Sequence, residues 1–370
     1  MNQSKIRFFI SKEPVLSLSW ILAVLSMILV PPSSSYLQYI DWKVLGCLFS
    51  LMVVVSGFRK MFLLTKLSSL LLQFAHSPRQ VASVLVGITF FTSMGITNDV
   101  ALITFVPLTI VVFSLCNDEK PILMTVVLQT VAANVGSSLT PVGNPQNLFI
   151  YSYYEMPIST FFLTMLPLVG FGALLLAVLL FLIPSHSQDF SFQNQEVPPL
   201  NKKELIRYLF LFFISLAGVF NLVPWYIATA LVVIFSEKLL LKDVDYSLLL
   251  TFIGFFIFVG NLGTIERVKI ALQNLLQGRE FLTSLLASQI ISNVPATLLL
   301  AQFTENASHL LLGVNAGGCG TLIASMASVI SFKCFTHYKP SHAGKYLFTF
   351  TWVNLLFVLL FLCINFKIIM

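Results

Sequence analysis

The chain has 370 residues, of which 57% are hydrophobic and only 10% charged, with a net charge of +6 and a mean hydropathy of +0.90. A soluble domain carries roughly 25% charged residues, so this chain cannot cover a globule of its size with polar surface. A cytosolic enzyme, a secreted disulfide scaffold and a disordered tail are excluded together, and the solvent that remains is a bilayer.

The apolar stretches are continuous, as in Phe161–Ile183, rather than alternating as in a membrane barrel. They predict helices, because lipid forces each segment to pair its own backbone N–H and C=O groups. A span needs about 20 residues. In chain order the expected spans are 14–31, 43–58, 120–140, 159–183, 204–222, 224–240, 246–262, 308–331 and 346–367. The basic amino terminus ahead of 14–31 resembles a signal peptide, but no A-x-A-like site follows, so 14–31 is read as an uncleaved first span. The more polar 60–75 and 263–278 read as amphipathic helices lying at the membrane surface.

Two further apolar stretches, 81–115 and 281–303, are interrupted by polar residues at Thr97-Asn98-Asp99 and Ser292-Asn293. In the second, each arm is about half a bilayer core long at 1.5 Å per residue. Both are expected to be re-entrant hairpins, with a single kinked span as the alternative for 281–303. With both folded back, most of the 21 lysine and arginine residues share the side of the amino terminus, which is then inside. A single crossing at 281–303 would move Lys333, Lys339 and Lys345 outside. The +6 charge therefore reads as membrane orientation, not as a nucleic-acid surface.

The polar stretch 184–203 divides the chain into 1–183 and 204–370, and the halves match weakly but in order. Ile40-Asp41-Trp42 matches Val244-Asp245-Tyr246 at a shift of 204. Thr97-Asn98 matches Ser292-Asn293 at 195, and Asn134-Val135-Gly136 with Thr140 matches Asn315-Ala316-Gly317 with Thr321 at 181. Five crossings separate 14–31 from its counterpart 224–240, so the second copy is inverted. The expected fold is an all-α polytopic membrane protein of two inverted repeats, each with a re-entrant hairpin and a broken transmembrane helix (120–147 and 308–331). That is a recurring plan of secondary transporters.

Asp99 is the one acidic residue set deep among apolar arms. An intramembrane carboxylate costs at least about 2.5 kcal/mol on insertion scales and usually serves an ion, a proton or a cation partner. An N-cap role for a helix over 100–115 is the plainer alternative. Asn98 and Asn293 each begin a second arm, where free N–H groups and the dipole favour an anion; Thr97 and Ser292 add hydroxyls. Local turn capping is the competing reading. In Ala132–Asn147 the prolines and Gly143 cannot continue a regular helix. Ser137, Thr140, Asn144 and Asn147, with freed carbonyls, make an oxygen-rich setting for a hard cation. The stretch Gly313–Ser328, with Asn315 and Thr321, is its counterpart, or a close-packing device. Sodium is expected near Thr97, Asn98, Asp99, Thr140 and Asn144. The five cysteines show no metal or CxxC spacing and read as small buried hydrophobes. No HExxH motif exists, and no nucleophile–base pair suggests an enzyme. A passive channel is a remote alternative, since Asn144-Pro145 lacks the second copy an Asn-Pro-Ala channel needs.

The tip TND with the following VALITFVPL, the stretch NVGSSLTPVGNPQN and the hairpin SQIISNVPATLLL together resemble the ion transporter superfamily. Its members include arsenite permeases, divalent anion:sodium symporters and citrate transporter-like proteins; the likeness is greatest to YbiR-type inner-membrane transporters. The resemblance implies a homodimer, a central anion and cation site, and transport of a small anion or oxyanion coupled to Na⁺ or H⁺. Arsenite-type efflux or Na⁺/H⁺ antiport is the alternative it leaves open. It also implies a prokaryotic cytoplasmic membrane and no cofactor beyond the coupling ion. Dicarboxylate symporters read S-N-T at both tips. Here the third positions are Asp99 and Val294, which speaks against a di- or tricarboxylate.

Overall fold

The computed structural model describes residues 13–115, 120–185 and 199–369. Residues 186–198 of the expected linker, the basic residues Lys5, Arg7 and Lys12, and Cys116 lie outside the described residues. What is described is helical throughout, with no strand among the described residues.

In the first half, α1 (Pro14–Leu29) and a one-turn α2 (Tyr36–Tyr39) lead to α3 (Trp42–Lys60), α4 (Leu63–Leu72), α5 (Pro78–Ser93) and α6 (Asn98–Leu115). Then follow α7 (Lys120–Ser137), α8 (Pro145–Tyr153) and α9 (Ile158–Leu180). The second half holds α10 (Lys202–Val219), α11 (Trp225–Phe235), α12 (Tyr246–Thr264), α13 (Glu266–Leu276), α14 (Glu280–Ile291) and α15 (Asn293–Ala301). It closes with α16 (Ala307–Gly317), α17 (Met326–Tyr338) and α18 (Ala343–Ile369).

Among the described residues four helices are long and apolar enough to cross a bilayer alone: α3, α9, α12 and α18. Others among the nine expected spans are shorter. The segment 224–240 yields only the 11 residues of α11, about 16 Å of helix. The interruptions fall where the sequence places them: α5 and α6 are separated at 94–97, and α14 and α15 at Ser292. The expected broken helix 120–147 is two helices, because Pro145 opens α8 instead of lying in a loop. Its missing N–H costs nothing at the first helical position, and Asn144 caps it by accepting from Asn147 N at 2.9 Å. The second break, 318–325, follows Gly317-Gly318-Cys319-Gly320, where glycine disfavours helix.

Packing repeats between the halves. α5 and α6 lie on each other and on α7; α14 and α15 lie on each other and on α16. α6 also reaches α17, and α15 reaches α8. Asp41 and Asp245 cap α3 and α12 in the same way, accepting from Val44 N and Leu248 N at 2.9 Å. The cysteine expectation holds only in part: Cys47 and Cys319 are buried, whereas Cys363 is exposed on α18.

Candidate functional site

The two helix breaks meet at the centre of the packed helices. Asn134, in the last turn of α7, takes hydrogen bonds on Oδ1 from Asn98 Nδ2 (3.1 Å) and Ser325 Oγ (3.0 Å), and donates Nδ2 to Gly318 O (3.0 Å). Asn315, in the last turn of α16, takes hydrogen bonds on Oδ1 from Asn144 Nδ2 (3.2 Å) and Ser138 Oγ (3.0 Å). Its Nδ2 donates to Asn147 Oδ1 (2.7 Å) and Leu311 O (2.8 Å). Ser325 and Asn144 are the residues just ahead of α17 and α8, and they stand 181 residues apart, as do Asn315 and Asn134. Each half thus offers its break residue to the asparagine of the other half.

Asn147 Nδ2 donates to the carbonyls of Ser137, Ser138 and Thr140 at 3.0 to 3.3 Å, the backbone that the broken helix leaves unpaired. Ser137 Oγ accepts from Asn144 Nδ2 (3.3 Å) and donates to Asn134 O (3.0 Å). These asparagines and serines are buried. In a low-dielectric interior such a network is stable only when its donors and acceptors are satisfied.

The tips dock by equivalent contacts. Thr140 Oγ1 donates to Met94 O, and Thr321 Oγ1 donates to Gln289 O at 3.0 Å. Met94 and Gln289 are 195 residues apart, the interval of the tip match. Asn98 Oδ1 accepts from Asp99 N (3.0 Å), and Asn293 Oδ1 accepts from Val294 N (2.9 Å). Gly136 packs against Phe90 and Ser93, and Gly317 against Leu285 and Ser288, again at those shifts.

The tips also differ. Asn98 N donates to Gly143 O (3.1 Å), tying the first tip to the break of its own half. Ser292 holds a left-handed φ of 72°, costly for serine, and its hydroxyl reaches Ala324 O at 3.3 Å. Asn293 is buried, and its Nδ2 makes no hydrogen bond among the described residues.

Of the expected site residues, Asn98, Asn134, Ser137, Asn144, Asn147 and Asn315 form one network. Ser292 and Asn293 border it through Ala324. Thr97, Asp99 and Thr140 are half-buried at its edge. Thr321 is exposed and outside it, held to Gln289. The capping alternative for Asp99 does not hold: α6 begins at Asn98, so Asp99 sits in the first turn. No lysine or arginine pairs with it among the described residues. For sodium, the Asn98 and Asn144 side-chain oxygens already cap backbone N–H groups. Thr97 and Asp99 make no side-chain hydrogen bond through their oxygens among the described residues.

Sequence reasoning missed Ser138, Gly318, Gln289 and Ser325. The shift of 181 applied to Asn144 lands on Ser325, so that signal was present.

Continuous apolar helices around a buried amide lattice at two helix breaks define a polytopic α-helical membrane protein. The chain belongs to the citrate transporter family, which matches residues 8–331. It is similar to the uncharacterized transporter MJ0456 of Methanocaldococcus jannaschii, 36% identical over 80% of this chain and 81% of that protein. The inner membrane protein YbiR of Escherichia coli is 31% identical over 80% of each chain. The silicon efflux transporter LSI3 of Oryza sativa subsp. japonica is 33% identical over 38% of this chain and 29% of that one. These relationships make the chain an integral membrane transporter.

Proposed function

We propose that the chain is a secondary active transporter of a small anion or oxyanion, coupled to Na⁺ or H⁺, acting as a homodimer in a prokaryotic cytoplasmic membrane with its amino terminus inside. The crossed pairing of Asn134 with Ser325 and of Asn315 with Asn144 carries this reading. Two halves that exchange partners at one centre suit inverted repeats, with 81–115 and 281–303 as re-entrant hairpins. Such a centre supplies one site with two equivalent exits.

Asn98, Asn293, Thr97 and Ser292 would hold the oxyanion by amide and hydroxyl groups, with Ser137, Thr140, Asn147 and Thr321 fixing the breaks around it. Asp99 would carry the proton or bind the cation. The Asp99 carboxyl at the first tip, with no paired cation among the described residues, favours a substrate of low charge over a di- or tricarboxylate. The relative named for silicon efflux points the same way, toward a small oxyacid. Asp99 also favours a second reading, cation/proton antiport through the same site.

Flux into proteoliposomes is the test, over a panel of arsenite, silicate, phosphate and citrate with Na⁺ and pH gradients imposed separately. Asp99→Asn should abolish gradient-driven uptake, by about a hundredfold or more, while leaving the protein folded. Undiminished coupled uptake by that variant would remove Asp99 from the mechanism. Cation exchange with no anion flux would favour the antiport reading.

A further inference from the structure

A second buried polar group lies between α7, α17 and α18. Ser325, ahead of α17, and Ser328 and Ser331 within it recur every third residue, and all are buried. Within α17, Ser328 and Ser331 are about 4.5 Å apart along the axis at 1.5 Å per residue and are neighbours on one face, with Ser325 just ahead of the helix. On α7, Thr130 stands one turn before Asn134 and is also buried. Ring contacts of Tyr346 with Phe332 and Phe335, centroids 5.5 and 5.1 Å apart, set the start of α18 against the middle of α17. Tyr346 is fully buried, and its hydroxyl lies near those of Thr130 and Ser331.

Near is not bonded here. Thr130 donates to Val126 O at 2.8 Å. Among the described residues Ser328 Oγ, Ser331 Oγ and Tyr346 Oη are each left without a geometric hydrogen-bond partner. So is Asn354 Oδ1, two turns along the same buried face of α18. Buried hydroxyls left this way are strongly disfavoured. A cation would meet their lone pairs but offer no acceptor for their protons. An anion would do the reverse. Water both donates and accepts. The first half has no such need. Residues 181 earlier are Asn147, fully bonded, and the apolar Ile150 and Met165.

We propose that Thr130, Ser328, Ser331 and Tyr346 hold a file of ordered water running from the α17–α18 turn to Ser325 and the central asparagines. Ser325 donates to Asn134 at the inner end, so the centre is hydrated from one end of the protein. What this water serves rests on the transport reading above; its presence does not.

Hydroxyl-radical footprinting by radiolysis of the full chain in nanodiscs tests the file. Tyr346 should be oxidised about tenfold faster than Phe357, which is equally buried on the same helix. Ser331→Val should cut the Tyr346 rate about fivefold while the exposed loop residue His76 keeps its rate. If Ser331→Val does not fold, Ser328→Ala takes its place. A wild-type Tyr346 no more reactive than Phe357 overturns the proposal, as does a Tyr346 rate that neither variant lowers. A chain inactive in every flux assay would still label Tyr346 if the file exists. An active transporter with a dry Tyr346 would sink the file alone.

Discussion

The two tips share a frame and differ in chemistry. Thr140 on Met94 and Thr321 on Gln289 are the same contact, as are the self-capping amides of Asn98 and Asn293. On that frame the first tip carries a carboxylate and relaxed backbone. The second carries valine and a strained serine. A contact present in both halves is explained by folding the duplicated unit. A residue present in only one half requires a reason of its own. By that logic Asp99 and the Ser292 backbone are where the proposed function is to be tested first, while the threonine and glycine contacts are explained as architecture.

The architectural half of this comparison is best broken at the glycines, where the largest stability effects are expected. A Cβ on Gly136 would overlap the Phe90 carbonyl, which is helix backbone and cannot yield. A Cβ on Gly317 would meet Ser288 Cβ at 2.7 Å and the Leu285 carbonyl at 3.1 Å, both held by helix backbone but less close than the Phe90 carbonyl is to Gly136. Gly136→Ala should therefore cost about 3 kcal/mol and Gly317→Ala about 1 to 2. Gly170→Ala, with open space around it, is the control. Melting temperatures in detergent decide the order; equal losses at Gly136 and Gly170 would end the close-packing argument.

The functional half is sharpened at Ser292. Glycine adopts a positive φ without the penalty that serine incurs, so Ser292→Gly should stabilise the fold by about 1 kcal/mol. If the strain preorganises the second tip, flux should fall in the same variant. A more stable protein with unchanged flux would reduce the strain to a feature of the turn. Thr97→Gly, where no strain is present, should bring no such gain.

These contrasts also mark what sequence alone could yield. Apolar runs and their interruptions placed the helix pairs and both breaks, because period and polarity are local properties. Pro145 does not continue α7, as the sequence implied, but that it opens α8 was not legible, since proline ends one helix and opens another with equal ease. The φ of Ser292 was hidden, because serine carries no preference for that conformation. The crossed pairs Asn134–Ser325 and Asn315–Asn144 join residues 191 and 171 apart in sequence. Only the repeat interval connects them, and it names counterparts without saying that counterparts exchange partners.

The amide lattice holds no titratable group, whereas Lys60, Arg207 and Glu237 form an ion-paired cluster past the end of α11, and this difference sets the smallest prediction. Glu237 follows α11 outside the spanning helices. Its carboxylate receives Lys60 Nζ at 2.5 Å and an Arg207 guanidinium nitrogen at 3.1 Å. The Lys60 hydrogen bond, aided by Arg207, holds the Glu237 carboxyl below its ordinary range against a smaller opposing effect of burial. A depressed carboxyl stabilises the fold fully above the unfolded value, about 4.3 for glutamate. That contribution fades as pH falls through the folded value. All three side chains are about a third exposed or more, so solvent and salt screen the gain. Glu237→Gln should lower the melting temperature slightly at pH 7 and low salt, and the difference from wild type should shrink toward pH 3. It should also narrow in high salt. In Asn315→Ala the deficit should stay constant across the same pH range, because the groups it orphans are neutral. A deficit in Glu237→Gln that persists unchanged to pH 3 would show that the ion pair acts through packing and not through its charge.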